Sequence, residues 1–206
     1  MRIIPASFYR GDDVESIASA LLGKILVTRH HDRITSGRIT ETEAYKGVDD
    51  KACHAYGGKR TPRNEVMYAE GGHAYVYICY GIHFLFNVVT NRKDHPDAVL
   101  IRSIHPIAGV PTMLDRADKP DLKPKLAAGP GNLTRALGIT MDHSGLTLFG
   151  PGLHIADDGQ QLSNNDIIAT PRIGVESAGV DALRLYRYII RGNKYVSGRR
   201  TDPRKA

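Results

Sequence analysis

The segment Gly37–Gly47, "GRITETEAYKG", places two carboxylates beside an aromatic ring on a predicted β-strand. Side chains alternate along a strand, so one face should carry Ile39, Glu41, Glu43 and Tyr45. A rise of about 3.3 Å per residue separates the two carboxylates by about 6–7 Å. Paired acids at this distance suit hydrolysis at an acetal-like carbon, where one acid protonates the leaving group and the other activates water. The alternative is a solvent-facing strand edge whose charges deter aggregation.

The flanking segments predict many strands and few helices. Upstream, "DDVESIASALLGK" predicts a helix in which Asp12 and Glu15 form a capping box and Gly23 supplies the stop. The runs "KILVTRH" and "SGRITETEAY" predict two strands joined by a polar turn. Downstream, "HAYVYICYGIHFLFNVVT" predicts two strands that meet near Gly81, and "DAVLIRSI" predicts a buried strand. In "GPGNLTRALGIT" a Gly-rich turn should enter a short helix, with Asn132 as its candidate cap.

Strands therefore dominate, because "LTLFGPGLHIA" and "LRLYRYIIRGNKYVS" also have strand-like patterns. Loops rather than regular crossover helices separate them, which predicts an α+β fold. We expect a single domain over residues 1–206, with a curved, mainly antiparallel β-sheet core, flanking helices and a protruding β-hairpin. Residues 198–206 are basic and should form a flexible tail.

The composition fits one soluble globular domain, because the 206 residues are 41% hydrophobic and 24% charged. A net charge of +6 makes polyanions candidate partners, although charge of this size also serves ordinary solubility. Cys53 and Cys79 provide neither a disulfide framework nor a zinc-binding pair, so no metal site is expected. No segment has the character of a signal peptide or a membrane span, which favours the cytoplasm.

The predicted hairpin around Gly81 should place Tyr80, Ile82 and His83 at or near its tip. Proteins that kink DNA insert such apolar groups between base steps from the minor groove. The alternative is that these side chains fold back into the core. The long connection before the hairpin, "KGVDDKACHAYGGKRTPRNEVM", contains a basic cluster that includes Arg63, and loops of this length are often functional. The run "GPGNL" could cradle a phosphate but lacks the Lys-Ser/Thr of a nucleotide-binding loop.

Five segments together resemble one known family: "GRITETEAYKGVDDKACHAYGGKRTPRNEVMY", "GHAYVYICYGIHFLFNVVT", "AVLIRSI", "GPGNLTRALGI" and "PRIGV". They resemble the alkyladenine (3-methyladenine) DNA glycosylase family, in its order and approximate spacing, up to about Ser197. Such enzymes flip a damaged purine out of duplex DNA and cut its N-glycosidic bond. The resemblance implies a base-excision repair enzyme that needs no cofactor, binds double-stranded DNA and works as a monomer. Its candidate substrates are 3-methyladenine, 7-methylguanine, hypoxanthine and ethenoadenine.

The resemblance assigns the chemistry to two side chains. Glu43 matches the general base that activates the water attacking C1′, and Arg102 matches the arginine that helps to hold this water. The family also uses a main-chain carbonyl, at the position of Ile173. An alkylated purine is already cationic, so one ionised carboxylate suffices, and Glu41 should have a supporting or structural role. No lysine replaces the water nucleophile, which implies a monofunctional enzyme that leaves an abasic site.

The resemblance also implies a base pocket. Tyr45, His54 and Tyr77 match the residues that sandwich and hydrogen-bond the flipped base, which favours an electron-poor, positively charged purine. Asn87 matches the asparagine that crowds the 2-amino group of guanine. Each of these residues also has an ordinary structural interpretation, such as core packing for Tyr77 or a satisfied loop histidine for His54.

Tyr80 matches the intercalating tyrosine that fills the gap left by the extruded nucleotide. Ile82 and His83 fall where the hairpin touches the minor groove, and Arg63 should reach a backbone phosphate. Two segments depart from the family: His105 stands where an acidic residue is common, and "LRLYRYIIRG" replaces a Pro-Trp/Leu-Arg-Phe run. Two other functions stay open, a non-catalytic nucleic-acid-binding module and a small-molecule nucleoside hydrolase.

Overall fold

The computed structural model describes residues 1–198; residues 199–206, most of the predicted basic tail, lie outside the described residues. Within residues 1–198 nine strands form one sheet: β1 (Arg2–Ile3), β2 (Ile25–His30), β3 (Arg33–Tyr45), β4 (Ala74–Cys79), β5 (His83–Thr90), β6 (Asp97–Ala108), β7 (Leu153–Asp157), β8 (Ile167–Thr170) and β9 (Arg187–Ile190). The α-helices of the same part of the chain are α1 (Ala6–Tyr9), α2 (Val14–Ala20), α3 (Val110–Ala117) and α4 (Pro130–Leu137). Short 3-10 helices span Gly47–Asp49, Tyr56–Gly58, Glu65–Tyr68, Pro124–Leu126, Met141–His143, Asn164–Asp166 and Glu176–Leu183.

The sheet has the strand order β1-β7-β2-β3-β6-β5-β4, and β9 pairs with both β3 and β8. All of these pairings, which lie within residues 1–198, are antiparallel. The main apolar core includes Ile17 of α2, Met113 of α3, and Leu133 and Leu137 of α4, packed on sheet residues such as Ile101. The predicted α+β class with a mainly antiparallel sheet is confirmed.

Helix α2 begins at a different cap from the predicted one. The carboxylate of Asp13 accepts hydrogen bonds from the amides of Glu15 (3.0 Å) and Ser16 (3.2 Å). The prediction of Asp12 as the cap is therefore wrong by one residue. Since Asp12 and Asp13 are adjacent and chemically identical, the sequence alone offered no way to choose between them.

The predicted cap of α4 is also wrong. Gly129 occupies the cap position, and Asn132 lies inside the helix, where its side-chain amide donates to the carbonyl of Ala128 (3.0 Å). Helix α3 was not predicted, although its Pro at the first turn is typical of a helix start.

A β-bulge in β3 changes the predicted faces of that strand. In the register with β6, Thr40 has no partner between Ile39 and Glu41. One extra residue reverses the alternation of side chains along a strand. Ile39 consequently packs in the main apolar core together with Ala44, on the face opposite to Glu41. The prediction that Ile39 shares a face with the two glutamates is wrong.

Strand β6 has a matching irregularity at Arg102. Its neighbour Ser103 pairs with Glu41, while Ile101 pairs with Thr42, which leaves Arg102 between the two pairs. Bulges re-aim side chains and are frequent beside active sites.

The segment of β3 from Glu41 to Glu43 pairs with β6 on one side and with β9 on the other. Both glutamates are fully buried. The alternative of a solvent-facing strand edge is therefore wrong.

Strands β4 and β5 form the hairpin, and residues 80–82 connect them. Tyr80 and Gly81 both have positive φ, +51° and +72°, and the amide of Ile82 donates to the carbonyl of Cys79 (3.2 Å). Positive φ at both central residues is typical of a type I′ turn, which follows the twist of a hairpin. Tyr80 is 90% exposed and Ile82 is 72% exposed, so these two side chains do not fold back into the core.

Candidate active site

A cavity of about 630 Å³ lies where β3, β4, β5 and β6 meet the long connection between β3 and β4. The four predicted base-pocket residues line it, together with Arg102: Tyr45, His54, Tyr77 and Asn87. The first turn of α4 and the segment around Ile173 complete its wall. The fold thus brings five distant parts of the sequence to one cavity.

Glu43 is fully buried behind this wall, and three groups of the protein contact its carboxylate. Its Oε1 accepts a hydrogen bond from the backbone N–H of Ile173 (2.8 Å) and lies 3.2 Å from Nη1 of Arg102. Its Oε2 accepts a hydrogen bond from the phenol of Tyr45 (2.8 Å). A carboxylate has about four acceptor positions, so these contacts leave about one for a water molecule.

Tyr45 keeps its proton in this arrangement. Burial, and then the charge of Glu43, raises the pKa of Tyr45 well above its ordinary value. The phenol is therefore a fixed hydrogen-bond donor to Glu43 at neutral pH. The resemblance assigned a role to the main-chain carbonyl of Ile173, whereas the contact with Glu43 is made by its N–H.

Arg102 connects the two glutamates of β3. Its Nε donates to Oε1 of Glu41 (2.8 Å), and its Nη1 faces Glu43. Burial by itself lowers the pKa of Arg102, but the charges of Glu43 and Glu41 outweigh this effect and raise it above the ordinary value. Arg102 is thus a permanent cation beside the carboxylate of Glu43.

Glu41 has no exposed surface and binds several further donors. Besides Arg102, these are Nε of Arg187 (2.7 Å), the hydroxyl of Ser103 (2.8 Å), and the amide (2.6 Å) and hydroxyl (2.9 Å) of Ser197. Burial alone would raise the pKa of Glu41, but the charges of Arg102 and Arg187 and the hydrogen bonds lower it overall. Glu41 thereby joins β3, β6, β9 and the C-terminal segment, which agrees with the supporting role expected for it.

His54 and Tyr77 form the aromatic part of the cavity wall. Their ring centroids lie 4.6 Å apart with an interplanar angle of 68°. Burial, and then the charges of Arg63 and Lys59, lowers the pKa of His54 to about 4, so the imidazole is neutral at pH 7. The guanidinium of Arg63 lies 5.4 Å from the centre of the Tyr77 ring.

Asn87 is almost fully buried on β5 and borders the same cavity. Its side-chain amide donates to the carbonyl of Tyr75 on the neighbouring strand (3.1 Å). This bond fixes the side chain against the floor of the cavity, so Asn87 is a rigid part of the wall.

Arg172 was not singled out from the sequence, yet it organises one side of the site. Its guanidinium forms an ion pair with Asp50 in which neither side chain is exposed, and it donates to the carbonyl of Ala44 (3.0 Å). It also lies 4.8 Å from the centre of the Tyr45 ring. Arg172 therefore fastens the neighbouring Ile173 to β3 and to the long connection. Its place directly before Ile173 in "PRIGV" was the only signal in the sequence.

The residues predicted to contact DNA lie around the hairpin. Tyr80, His83 and Arg63 border the cavity, whereas Ile82 is exposed but does not line it. His83 packs against the first turn of α4, where a Cβ added to Gly131 would lie 2.9 Å from the imidazole ring. His83 is therefore less exposed than a residue at the tip of the hairpin.

The run "GPGNL" also reaches the cavity, as the start of α4. The amide of Gly129 donates to the hydroxyl of Ser103 (2.9 Å) and is not available for a phosphate.

His105, which stands where the family commonly has an acidic residue, packs on an aromatic neighbour. Its ring stacks on that of Tyr195, with the two centroids 4.5 Å apart.

Within residues 1–198, no helix combines the length and the apolar character needed to cross a membrane. In the same range, no three His, Cys, Asp or Glu side chains are grouped so that they could hold a metal ion.

Comparisons with known proteins agree on one family. The profile of the family described as Methylpurine-DNA glycosylase (MPG) matches residues 7–194. A protein of Chlamydia felis is 48% identical over 178 residues, covering 85% of this chain and 90% of its own length. A protein of Bdellovibrio bacteriovorus is 41% identical over 197 residues, covering 95% and 98%. A protein of Bacillus cereus is 44% identical over 201 residues, covering 94% and 98%. All three carry the provisional name of 3-methyladenine DNA glycosylase.

The family profile spans the glutamate strand, the hairpin, Arg102 and the segment around Ile173, so its match includes every element of the cavity. The chain therefore belongs to the methylpurine-DNA glycosylase family and is a DNA glycosylase.

Proposed function

We propose that this DNA glycosylase flips alkylated or deaminated purines out of duplex DNA and hydrolyses their N-glycosidic bond with water activated by Glu43. The candidate bases are 3-methyladenine, 7-methylguanine, hypoxanthine and ethenoadenine. The product is an intact abasic site. The observation that carries the proposal is the contact set of Glu43: one buried carboxylate with a fixed cation, two fixed donors and one acceptor position left over.

The contacts of Glu43 suit a base that polarises water. Arg102 holds Oε1 of Glu43 from one side, and Ile173 holds it from another, so the carboxylate cannot rotate freely. A water on the remaining acceptor position would be oriented by Glu43 and would share the field of Arg102. Positive charge develops on the sugar as the bond from C1′ to the purine breaks and the purine leaves with the bonding electrons; the carboxylate stabilises this charge. The water then adds to C1′ and gives up a proton to Glu43.

The cavity and the hairpin support base flipping. A cavity of about 630 Å³ with aromatic walls is large enough for one purine. Tyr80, on a turn beside this cavity and 90% exposed, is placed to enter the base stack as the nucleotide leaves it. Unstacking costs a few kcal/mol and costs least for a weakly paired base, which itself favours lesions.

All of the groups in this proposal come from one chain, which supports action as a monomer on double-stranded DNA. We place the reaction on chromosomal DNA in the cytoplasm. Arg63, exposed at the edge of the cavity, is the proposed contact to a backbone phosphate.

The test uses labelled duplexes that each contain one hypoxanthine, one ethenoadenine or one uracil, and in addition methylated duplex DNA. Each is incubated with the purified protein and then treated with hot alkali, which breaks the strand at abasic sites. We expect breaks at the purine lesions and none at uracil. Breaks at no lesion, with DNA binding intact, would contradict the proposed substrates.

The matched variant is Glu43→Gln, which keeps the size of the side chain and removes its charge. We expect single-turnover base release to fall at least 100-fold while DNA binding stays within threefold, because water activation is lost and contact is not. Base release within tenfold of the wild type would exclude Glu43 as the general base.

A further inference from the structure

His54 contacts a buried tyrosine, Tyr75, that does not border the cavity. Its Nδ1 lies 2.8 Å from the phenolic oxygen of Tyr75, and the two rings meet edge to face at 83°. Tyr75 lies on β4, is 2% exposed and does not line the cavity. Its side chain therefore acts on a bound base through its neighbours: its ring lies 5.5 Å from that of Tyr77, and its hydroxyl meets His54.

The position of the proton between these two groups follows from their other contacts. Among the described residues, the Tyr75 hydroxyl has no hydrogen-bond acceptor other than Nδ1 of His54. The neighbouring charge, Arg63, is a guanidinium, which carries donors and no acceptor. If Nδ1 carried the proton, the phenolic proton would be buried without an acceptor, at a cost of about 1–3 kcal/mol. If the phenol donates to Nδ1, both groups are satisfied.

We infer that Tyr75 is a positioning residue: its hydroxyl donates to Nδ1 of His54 and so fixes the neutral imidazole with its proton on Nε2. Among the described residues Nε2 has no hydrogen-bond partner, and it is not among their buried unpaired atoms. His54 borders the cavity, so its Nε2–H is a donor available to a ligand there.

The fixed donor selects a hydrogen-bond acceptor on the flipped nucleotide. This conclusion rests on the proposed function, because the ligand is the nucleotide that function places in the cavity. The acceptor is either the 6-oxo oxygen of a purine such as hypoxanthine or 7-methylguanine, or an oxygen of the sugar-phosphate backbone. A 6-amino group would instead meet the N–H of His54 with a second donor, which is unfavourable.

Two further properties support a fixed donor. Burial, against the opposing charge of Arg63, raises the pKa of Tyr75 to about 12, so the phenol retains its proton. The backbone of His54 is also held, because the side-chain amide of Asn64 donates to its carbonyl (3.0 Å). Neither the proton nor the ring is therefore free to adapt to a different ligand.

The first experiment measures the tautomer directly, without DNA. Nitrogen-15 NMR of the labelled full chain at pH 7 distinguishes a protonated from an unprotonated ring nitrogen, and the variant His54→Gln identifies the signals of His54. We expect a protonated Nε2 and an unprotonated Nδ1. A protonated Nδ1 would overturn the inference, whatever the protein does to DNA.

The second experiment compares base release by Tyr75→Phe and the wild type under single-turnover conditions. Methylated duplex DNA releases 7-methylguanine, a 6-oxo base, and 3-methyladenine, a 6-amino base, from one sample. If the acceptor is the 6-oxo group, release of 7-methylguanine should fall at least tenfold and that of 3-methyladenine less than threefold. If the acceptor is a backbone oxygen, both should fall at least tenfold. Losses below threefold for both bases would overturn the inference.

The matched control is Tyr9→Phe. Tyr9 is also fully buried, but its hydroxyl has no hydrogen-bond partner, so this change removes a phenolic oxygen without touching the cavity. We expect Tyr9→Phe to leave both release rates unchanged. If the wild type releases no base at all, the proposed function fails, while the NMR experiment still decides the tautomer.

Discussion

The Nε atom of Arg102 donates a hydrogen bond of 2.8 Å to Oε1 of Glu41, and both side chains are buried. The same guanidinium faces the proposed general base, Glu43, at 3.2 Å. The two carboxylates that the alternation of β3 brings together are therefore not equivalent. Glu41 holds the arginine, and the arginine holds the carboxylate that we propose to activate water.

The first prediction concerns this division of roles. Replacing Glu41 by Gln should lower the free energy of unfolding by about 3–5 kcal/mol, because it removes the carboxylate that pairs with the buried charge of Arg187 and leaves Arg102 with Glu43 alone. Urea unfolding measures the change. The surface variant Glu15→Gln, whose contact with Lys46 is long and exposed, should change stability by less than about 1 kcal/mol. A loss below about 1 kcal/mol for Glu41→Gln would show that the cluster tolerates a neutral residue.

The second prediction concerns Tyr80, which should matter for excision from duplex DNA but not for the stability of the fold. Tyr80→Gly should not reduce the free energy of unfolding, because the side chain is 90% exposed and glycine accepts the positive φ more easily than tyrosine. We expect excision from duplex DNA to fall at least tenfold, and excision from a single strand to change much less, because only the duplex requires unstacking. Single-turnover assays on both substrates measure this.

The control for the hairpin is Val180→Gly, since Val180 is exposed to a similar extent and does not line the cavity. It should leave excision from both substrates unchanged. Equal losses on duplex and single-stranded DNA in Tyr80→Gly would remove the assigned wedge function.

The third prediction concerns selection among bases. Asn87→Ala should increase the release of guanine and 7-methylguanine relative to hypoxanthine, by about tenfold in the ratio of rates, because a small side chain no longer crowds the 2-amino group. Asn87 is suited to this role because its amide is held by the carbonyl of Tyr75. Chromatography of bases released from methylated DNA, together with a hypoxanthine duplex, gives the ratio. An unchanged ratio would leave Asn87 as a structural residue only.

The fourth prediction concerns stability and pH. Burial lowers the pKa of His54 to about 4, and it also lowers the pKa values of His30, His105 and His143. The unfolded chain binds protons near the ordinary histidine value of about 6.5, before the folded chain does. The contribution of these histidines to stability should therefore be constant above about pH 7, and stability should fall as the pH drops from about 6.5 towards 4.

Urea unfolding at pH 7.5 and pH 5 tests this dependence, because most carboxylates remain ionised over that interval. His54→Gln should flatten part of the slope, since glutamine does not titrate. A free energy of unfolding that rises on going from pH 7.5 to pH 5 would contradict the sign of the histidine shifts.

The sequence predicted the elements better than their ends. Repeating apolar patterns and the turn at Gly81 predicted the paired strands, because strand periodicity and hairpin turns are local properties. Both helix caps were assigned to the wrong residue, and α3 was not predicted. A cap depends on the geometry of one turn, which several neighbouring polar residues can satisfy equally well.

The candidate site likewise contains residues that local sequence motifs indicate and residues that only long-range contacts reveal. Glu43, Tyr45, Tyr77 and Tyr80 stand in short motifs that the sequence displays directly. Arg172 and Asp50 are 122 residues apart, and nothing local in either segment indicates that they form a buried pair. Tyr75 also could not be identified from its local sequence, because its proposed role depends on one hydrogen bond to His54, which lies 21 residues away in the chain.

The sequence by itself determined the α+β class, the hairpin with its tyrosine and the family to which the chain belongs, because these depend on residue order and local backbone preference. The tertiary structure decided that Glu41 binds both Arg102 and Arg187, and that Glu43 contacts Arg102, Tyr45 and Ile173 behind the cavity wall. The physical reason is the pair of bulges at Thr40 and Arg102: one extra residue in each strand turns Ile39 into the core and leaves Arg102 between the two carboxylates. Register between strands is a property of the assembled sheet, and no short stretch of sequence contains it.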